Sequence, residues 1–255
     1  MNFFTFQRVA EGYATHRPYY HPLIMRKIRE RLSLNEPLSH ALDVGCGTGL
    51  STVALRMLAE RVTGVDSSAE MIAVAQARNT DERITYRQAP AEQLPFDDGS
   101  FDLLTVCGAI NWIERAHFLP EARRVLKDQS WLIIYDNTIT DQMPTCPAYT
   151  RWYQNQFLVR FPKPPRDESP FTPSDADTHG FRLVHSEDYT NELPWSLDQY
   201  IDFMVTQSNI IAAVDMGSRS LSDVREWMHT TLAPLIPGPL APFVFGGYVW
   251  YIQRG

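Results

Sequence analysis

Apolar residues along the first half of the chain fall into short runs separated by amphipathic stretches. Residues 8–33 read as helical with a break near Pro18 and Pro22, since proline fixes φ and removes a backbone donor. Ala41-Leu42-Asp43-Val44 reads as a buried strand. Leu50 to Glu60 predicts a helix, because Leu50, Val53, Ala54, Met57 and Leu58 recur at i, i+3, i+4, i+7 and i+8. Val62 to Val65 is a second strand, and Ser67-x-x-Glu70 resembles a capping box that opens a helix through Arg78. Ile84 to Arg87 reads as a strand, Asp97-Asp98-Gly99-Ser100 as a turn and Phe101 to Cys107 as a strand. Phe118, Ala122, Val125 and Leu126 mark the next helix, and Trp131 to Tyr135 the fifth strand.

The pattern changes after Asp136. Residues 137–174 are rich in proline and aromatics, and read as an excursion that covers something rather than as one regular element. Phe181 to His185 returns to strand, helical segments follow at about 197–213 and 220–232, and Phe243 to Tyr251 is a strand interrupted by Gly246-Gly247. Strands that alternate with helices imply right-handed crossovers. The predicted fold class is therefore α/β: a doubly wound, Rossmann-like, seven-stranded mostly parallel sheet with helices on both faces and a helical cap.

Composition narrows the function classes. The 255 residues are 44% hydrophobic, enough for a sizeable core, and Lys+Arg 23 against Asp+Glu 30 gives a net charge of −7. That balance argues against a nucleic-acid partner. Cys46, Cys107 and Cys146 are odd in number and form no CxxC, so neither a disulfide scaffold nor a zinc site is expected. The histidines show no metal spacing; His16, His21 and His117 are expected to be exposed. With no signal-like start and no apolar run of membrane length, a cytoplasmic protein without a membrane partner is expected.

The chemistry centres on Asp43-Val44-Gly45-Cys46-Gly47-Thr48-Gly49, between a strand and a helix. Glycines there allow a tight turn and close approach of backbone to a ligand. A dinucleotide fingerprint needs G-x-G-x-x-G, and from Gly45 its last position is Leu50, so an NAD oxidoreductase is disfavoured. The acid before the first glycine would repel a pyrophosphate but suits a ligand with an ammonium group. S-adenosylmethionine has one, and carries no phosphate. Asp66 lies 23 residues after Asp43 at a strand end, where an acid can accept from ribose hydroxyls. Cys46 is expected to turn its side chain away from the ligand.

These features, together with Tyr13-x-x-x-Arg17-Pro18, Ala91-Glu92-x-Leu94-Pro95-Phe96, Asn111-Trp112 and Tyr135-Asp136, resemble class I S-adenosylmethionine-dependent methyltransferases. The likeness is to the small-molecule branch, methyltransferase type 11 or trans-aconitate methyltransferase-like, over about residues 9–136. Thr206-Gln207-Ser208-Asn209 and Phe245-Gly246-Gly247-Tyr248-Val249-Trp250 extend it toward one bacterial subgroup. The resemblance implies a single domain: N-terminal lid helices at about 1–35, a cofactor core at about 38–136, a cap insertion at about 137–174, and strands and helices through 175–255. It implies that Gly45, Cys46, Gly47 and Gly49 border the methionine part, with Asp43 beside them. Asp66 would hold the ribose, joined by Ser67 and Met71, while Ala91 and Glu92 lie along the adenine. Cys107 and Gly108 would border the methionine carbons, and Tyr13 and Arg17 would close over the cofactor, Arg17 pairing with its carboxylate. The chain departs from the family at Pro90, where Asp is usual, and at Asn111, where His is usual.

Methyl transfer from a sulfonium is an in-line displacement in which the protein mainly aligns the acceptor and excludes water. No catalytic constellation stands out, and no metal is expected. Asn111, Trp112, Asn137, Tyr149, Tyr153, Gln207 and Asn209 are candidates for the substrate wall. Each has a structural alternative: Trp112 as core, Tyr149 and Tyr153 as helical i, i+4 packing, Asn209 as a backbone contact. The expected function is methyl transfer to a small-molecule acceptor, oxygen of a carboxylate or hydroxyl, in a monomer or homodimer. The alternatives are nitrogen or carbon of a natural product, or a cofactor-binding fold that does not methylate.

Overall fold

A computed structural model describes residues 3–255. The chain opens with α1 (Gln7–His16), α2 (His21–Arg31), β1 (Leu38–Val44), α3 (Leu50–Leu55), β2 (Ala59–Asp66), α4 (Ala69–Arg78), β3 (Ile84–Gln88) and β4 (Phe101–Cys107). Then come α5 (Arg115–Val125), β5 (Leu126–Ile139), α6 (Pro147–Trp152), a π-helical turn (Tyr153–Phe157), α7 (Leu158–Arg160) and α8 (Pro173–Thr178). It closes with β6 (Phe181–Trp195), α9 (Leu197–Met204), α10 (Ser208–Val214), α11 (Leu221–Leu232) and β7 (Ala241–Arg254). Among the described residues no helix is long and apolar enough to cross a membrane.

The chain divides into two compact units. The first, the sheet unit, comprises Pro18–Asp136, Arg166–Asp188 and Tyr248–Gly255. The second, the helical unit, comprises Met1–Arg17, Asn137–Pro165 and Tyr189–Gly247. β5, β6 and β7 each contribute residues to both.

In the sheet unit the strand order is β3-β2-β1-β4-β5-β7-β6. The pairs β3–β2, β2–β1, β1–β4 and β4–β5 are parallel. The order reverses between β1 and β4, the position beyond whose carboxyl ends open α/β sheets bind ligands. Leu42, Val44, Val65, Leu104, Val106, Ile134, Phe118 and Ile252 share one core, as the near-continuous apolar runs of a parallel sheet require.

The carboxylate of Asp43 lies fully buried inside this core. Its Oδ2 accepts from Ser51 Oγ at 2.6 Å and Thr52 Oγ1 at 2.7 Å, and its Oδ1 accepts from Thr105 Oγ1 at 2.9 Å. A buried charge needs such partners. Asp43 is thereby a strut that joins β1, α3 and β4. One expectation is corrected here. α3 ends at Leu55 instead of running to Glu60, and its phase is shifted: Val53 and Met57 are 45% and 38% exposed, while Ser51 and Thr52 face inward. The hydroxyl requirement of Asp43 overrides the apolar stripe.

α4 is capped by Ser68, one residue after the expected Ser67; Ser68 Oγ accepts from Met71 N and donates to Glu70. The predicted helix at 197–213 is two, α9 and α10, parted where Thr206 Oγ1 donates to Phe203 O and Thr206 O accepts from Arg17. In the helical unit, Tyr149, Trp152, Phe157, Phe161, Tyr200, Phe203, Phe243 and Phe245 form an aromatic core, with Tyr200 and Phe243 stacked at 4.1 Å.

Thr105→Val keeps the shape of β4 but leaves Asp43 Oδ1 without its donor. Denaturant unfolding should show a loss of about 1–3 kcal/mol. A change below about 0.5 kcal/mol, the range of a neutral surface substitution, would contradict the strut.

Candidate functional site

The glycine loop is built from left-handed backbone. Gly45, Gly47 and Gly49 have φ of +68°, +53° and +86°, a region that favours residues without a side chain. Each glycine is needed for a different reason. A Cβ on Gly45 would lie 2.5 Å from the Ala109 Cβ, and one on Gly49 would strike the Tyr86 hydroxyl. A Cβ on Gly47 would meet nothing within 4 Å, so this glycine faces open space. Cys46 is buried and turned beneath the loop as expected; its Sγ contacts Gly47 O at 3.7 Å, and burial pushes its thiol well up.

Asp66 ends β2 and locks the loop from the other side. Its Oδ2 accepts from Gly47 N and its Oδ1 from Ser68 N, both at 2.9 Å. Burial raises its pKa, and these backbone bonds oppose the rise. The Ser67 backbone bonds it as well, and a carboxylate has about four lone-pair sites, so capacity remains for a further donor. Ser67 is exposed beside it, and Met71 is buried on the first turn of α4.

The remaining cofactor candidates of the sheet unit border the same edge. Ala91 is buried, and Glu92 Oε1 accepts from Glu114 N at 3.0 Å, which ties the turn after Pro90 to the start of α5. Cys107 and Gly108 end β4. Gly108 has φ +60° and donates its N–H to Tyr135 O at 2.9 Å. Asn111 and Trp112 form a short 3-10 turn after it, both half-buried, with Asn111 O accepting from Asp167 N at 3.2 Å.

His21, expected on the surface, is 5% exposed and is a correction. Its Nδ1 lies 3.2 Å from the Tyr135 hydroxyl and 3.8 Å from Cys107 Sγ, while the Tyr20 hydroxyl lies 3.1 Å from the same sulfur. Desolvation lowers the His21 pKa to about 3, so the ring is neutral. Sequence reasoning missed this cluster under the end of β4. The available signal was Pro22 at the first turn of α2, which places His21 at the buried helix start.

The other expected residues belong to the helical unit. Arg17 Nη2 donates to Thr206 O at 2.8 Å, and its guanidinium sits 4.0 Å from the Tyr13 ring centroid. Tyr149 is fully buried with its hydroxyl 2.7 Å from that of Tyr200, and Tyr153 packs 6.0 Å from Tyr149. Asn209 is buried, donating to Phe161 O at 3.0 Å and accepting from Ile210 N. Asn209 and Tyr149 thus lie in the unit's interior, the structural alternative stated for each. Asn137 is buried, and Gln207 stands at the N-cap position of α10 without a side-chain cap bond. No group of three or more His, Cys, Asp or Glu with metal-binding geometry occurs among the described residues.

Residues 42–134 match the family model described as a methyltransferase domain. The ubiquinone/menaquinone biosynthesis C-methyltransferase UbiE of Citrifermentans bemidjiense is 36% identical over 132 residues, covering 48% of this chain and 54% of that protein. The chain thus spans about half the length of the curated relatives it matches. Among solved structures, a type II methyltransferase candidate from Anaeromyxobacter dehalogenans superposes with TM-score 0.68 at 22% identity, over 93% of this chain and 96% of that one. Geranyl diphosphate C-methyltransferase from Streptomyces coelicolor, solved with S-adenosyl-L-homocysteine, gives 0.53 at 15% identity, over 91% and 78%.

Unfolded His21 takes up a proton near its ordinary value of about 6.5, whereas the folded ring stays neutral down to about 3. Its contribution is complete above pH 6.5 and is lost as pH falls toward 3; by pH 5 the loss is about 2 kcal/mol. Asp43, raised to about 6 by burial, acts in the opposite direction as pH falls through that value. The stability difference between the native chain and His21→Gln isolates the histidine and should shift by about 2 kcal/mol between pH 7.5 and 5. A difference independent of pH would contradict a buried neutral ring.

Proposed function

We propose that the protein transfers a methyl group from S-adenosylmethionine to a small-molecule acceptor, since residues 42–134 match the family model of a methyltransferase domain and the fold is that of a methyltransferase candidate of known structure. The observation that carries this is the open face of Gly47 held between strut and lock. Asp43 fixes the loop from below, Asp66 ties it to the turn after β2, and the space above Gly47 admits a ligand backed by backbone. The cofactor supplies the methyl group and the leaving thioether. The chain's own residues bind, orient and exclude water.

Asp66 is the ribose acceptor in this reading, Ala91 and Glu92 flank the adenine, and Gly108 borders the methionine carbons. The relatives leave the acceptor atom open: the UbiE protein is named a C-methyltransferase, and cnsE of Penicillium expansum, 30% identical over 135 residues, an O-methyltransferase. The reading stands for methyl transfer whichever atom receives it.

Release of S-adenosylhomocysteine from S-adenosylmethionine in the presence of an acceptor pool tests the activity. Methyl-labelled product is the expected result; a protein that binds the cofactor and never releases the thioether would be a binding module instead. Two substitutions test the site. Asp66→Ala should weaken S-adenosylhomocysteine binding at least about tenfold, equivalent to about 1.4 kcal/mol. Gly47→Val should abolish binding while the fold survives, since its side chain enters open space and only the positive φ is strained. Cofactor affinity unchanged in Gly47→Val would place the ligand elsewhere.

A further inference from the structure

We propose that the sheet unit carries a ligand site apart from the glycine loop, a cleft at the opposite end of the sheet that takes a phosphorylated sugar or polyol. This is independent of the methyl-transfer reading above. The cleft has a volume of about 510 Å³, and Arg123, Gln129, Asp177, Arg182 and Gln253 are among the residues that line it. That volume is within the range of small-molecule sites. Its walls come from the last turn of α5, the start of β5, the end of α8, the start of β6 and the end of β7. The glycine loop lies beyond the carboxyl end of β1, and β1, β4 and β5 run parallel, so the start of β5 is at the other end of the sheet.

Two guanidiniums in this cleft have no carboxylate partner among the described residues. Arg123 is exposed, yet its side chain lies along bare backbone: a Cβ on Gly180 would stand 2.5 Å from its Nε and 3.3 Å from its Cζ. No hydrogen bond or ion pair engages it among the described residues. A basic residue in the last turn of a helix is ordinary, because it meets the helix dipole. That does not account for a guanidinium laid on a glycine with its donors unclaimed. Arg182 donates from Nη2 to Gln253 Oε1 at 2.8 Å, a neutral partner. The neighbouring cations are engaged elsewhere: Arg124 with Asp98 and Glu121, Lys127 with Asp102, and Arg254 with Asp128.

The wall beside these guanidiniums is set in advance. Phe101 pairs with Leu126 but Leu103 with Trp131, so the intervening residues of β5 bulge out. In the bulge Gln129 takes φ +61°, a region that favours glycine. Its carbonyl accepts from Gln253 Nε2 at 3.4 Å, so the one side chain of Gln253 fixes both the bulge and the Arg182 guanidinium. The Gln129 side-chain amide is exposed and has no partner among the described residues. Backbone strain kept at a residue whose side chain the fold does not use points to a ligand. Two guanidinium forks match the oxygens of a phosphate dianion. The Gln129 amide and the exposed Asp177 carboxylate bond hydroxyls. Asp177 also disfavours a second anionic group, so the ligand is one phosphate on a hydroxylated body.

The test is calorimetric titration of the full chain with glucose 6-phosphate, inorganic phosphate, glucose and succinate, repeated on Arg123→Ala, Arg182→Ala and Gln129→Gly. The proposal predicts saturable one-site binding of glucose 6-phosphate, at least about tenfold weaker binding of inorganic phosphate, and no heat with glucose or succinate. Each arginine variant should weaken glucose 6-phosphate binding at least about tenfold. Gln129→Gly removes the amide and relieves the positive φ, so it should weaken binding several-fold while raising the thermal midpoint, a pair of effects that a merely structural role would not produce. Arg123 is exposed and unbonded, so Arg123→Ala should melt with the wild type and decides the matter if Arg182→Ala fails to fold. Absence of glucose 6-phosphate binding, or an affinity unchanged in Arg123→Ala, would overturn the site. Succinate bound as tightly as the phosphate ester would overturn the choice of phosphate, and inorganic phosphate bound as tightly would overturn the hydroxylated body.

Discussion

Everything at the cofactor edge depends on one carboxylate placed where a charge is costly. Asp43 is fully buried on β1, and burial lifts its pKa to about 6. Three hydroxyls make its ionised form tolerable, and they come from two elements, α3 and β4. Breaking such a buried network leaves an unsatisfied charge, so the three elements are held in one arrangement. The loop between β1 and α3 has its two ends fixed by this arrangement. Between those ends Gly45, Gly47 and Gly49 supply the positive φ of the turn without steric cost.

From there the site is assembled by backbone rather than by reactive side chains. Asp66 accepts from Gly47 N and joins the second strand to the loop. Gly45 packs against Ala109 after β4, which brings the end of β4 to the loop. The result is a loop at the switch point of the sheet with one open glycine face. Such a design suits a cofactor that carries its own chemistry, which the protein has only to position and shield.

The strands and the glycine loop were legible in the sequence, because buried parallel strands leave near-continuous apolar runs and because positive φ demands glycine. Local pattern failed where a long-range polar contact overrode it. Val53 and Met57 fit an apolar stripe, but the hydroxyls of Ser51 and Thr52 had to turn inward to Asp43. The helix expected over 197–213 broke at Thr206, whose carbonyl meets Arg17, a partner 189 residues away. His21 looked like a surface histidine, and its burial depends on Tyr135, 114 residues on. For Asp43 the position was legible, but the three hydroxyls around it were not, since Thr105 lies 62 residues on. The two-unit division was not legible at all, since β5, β6 and β7 pass from one unit to the other without a linker that composition could mark. The substrate wall was the least legible part, because aromatic residues that line a pocket and aromatic residues that fill a core have the same spacing; Tyr149 proved to be core.

The central claim is that this loop binds an adenosyl ligand with no phosphate. Calorimetric titration of the purified protein with S-adenosylhomocysteine and, separately, with NAD tests it most directly. The account predicts saturable one-site heat with the first and none with the second. Binding of NAD in its place, or no heat with S-adenosylhomocysteine, would contradict it.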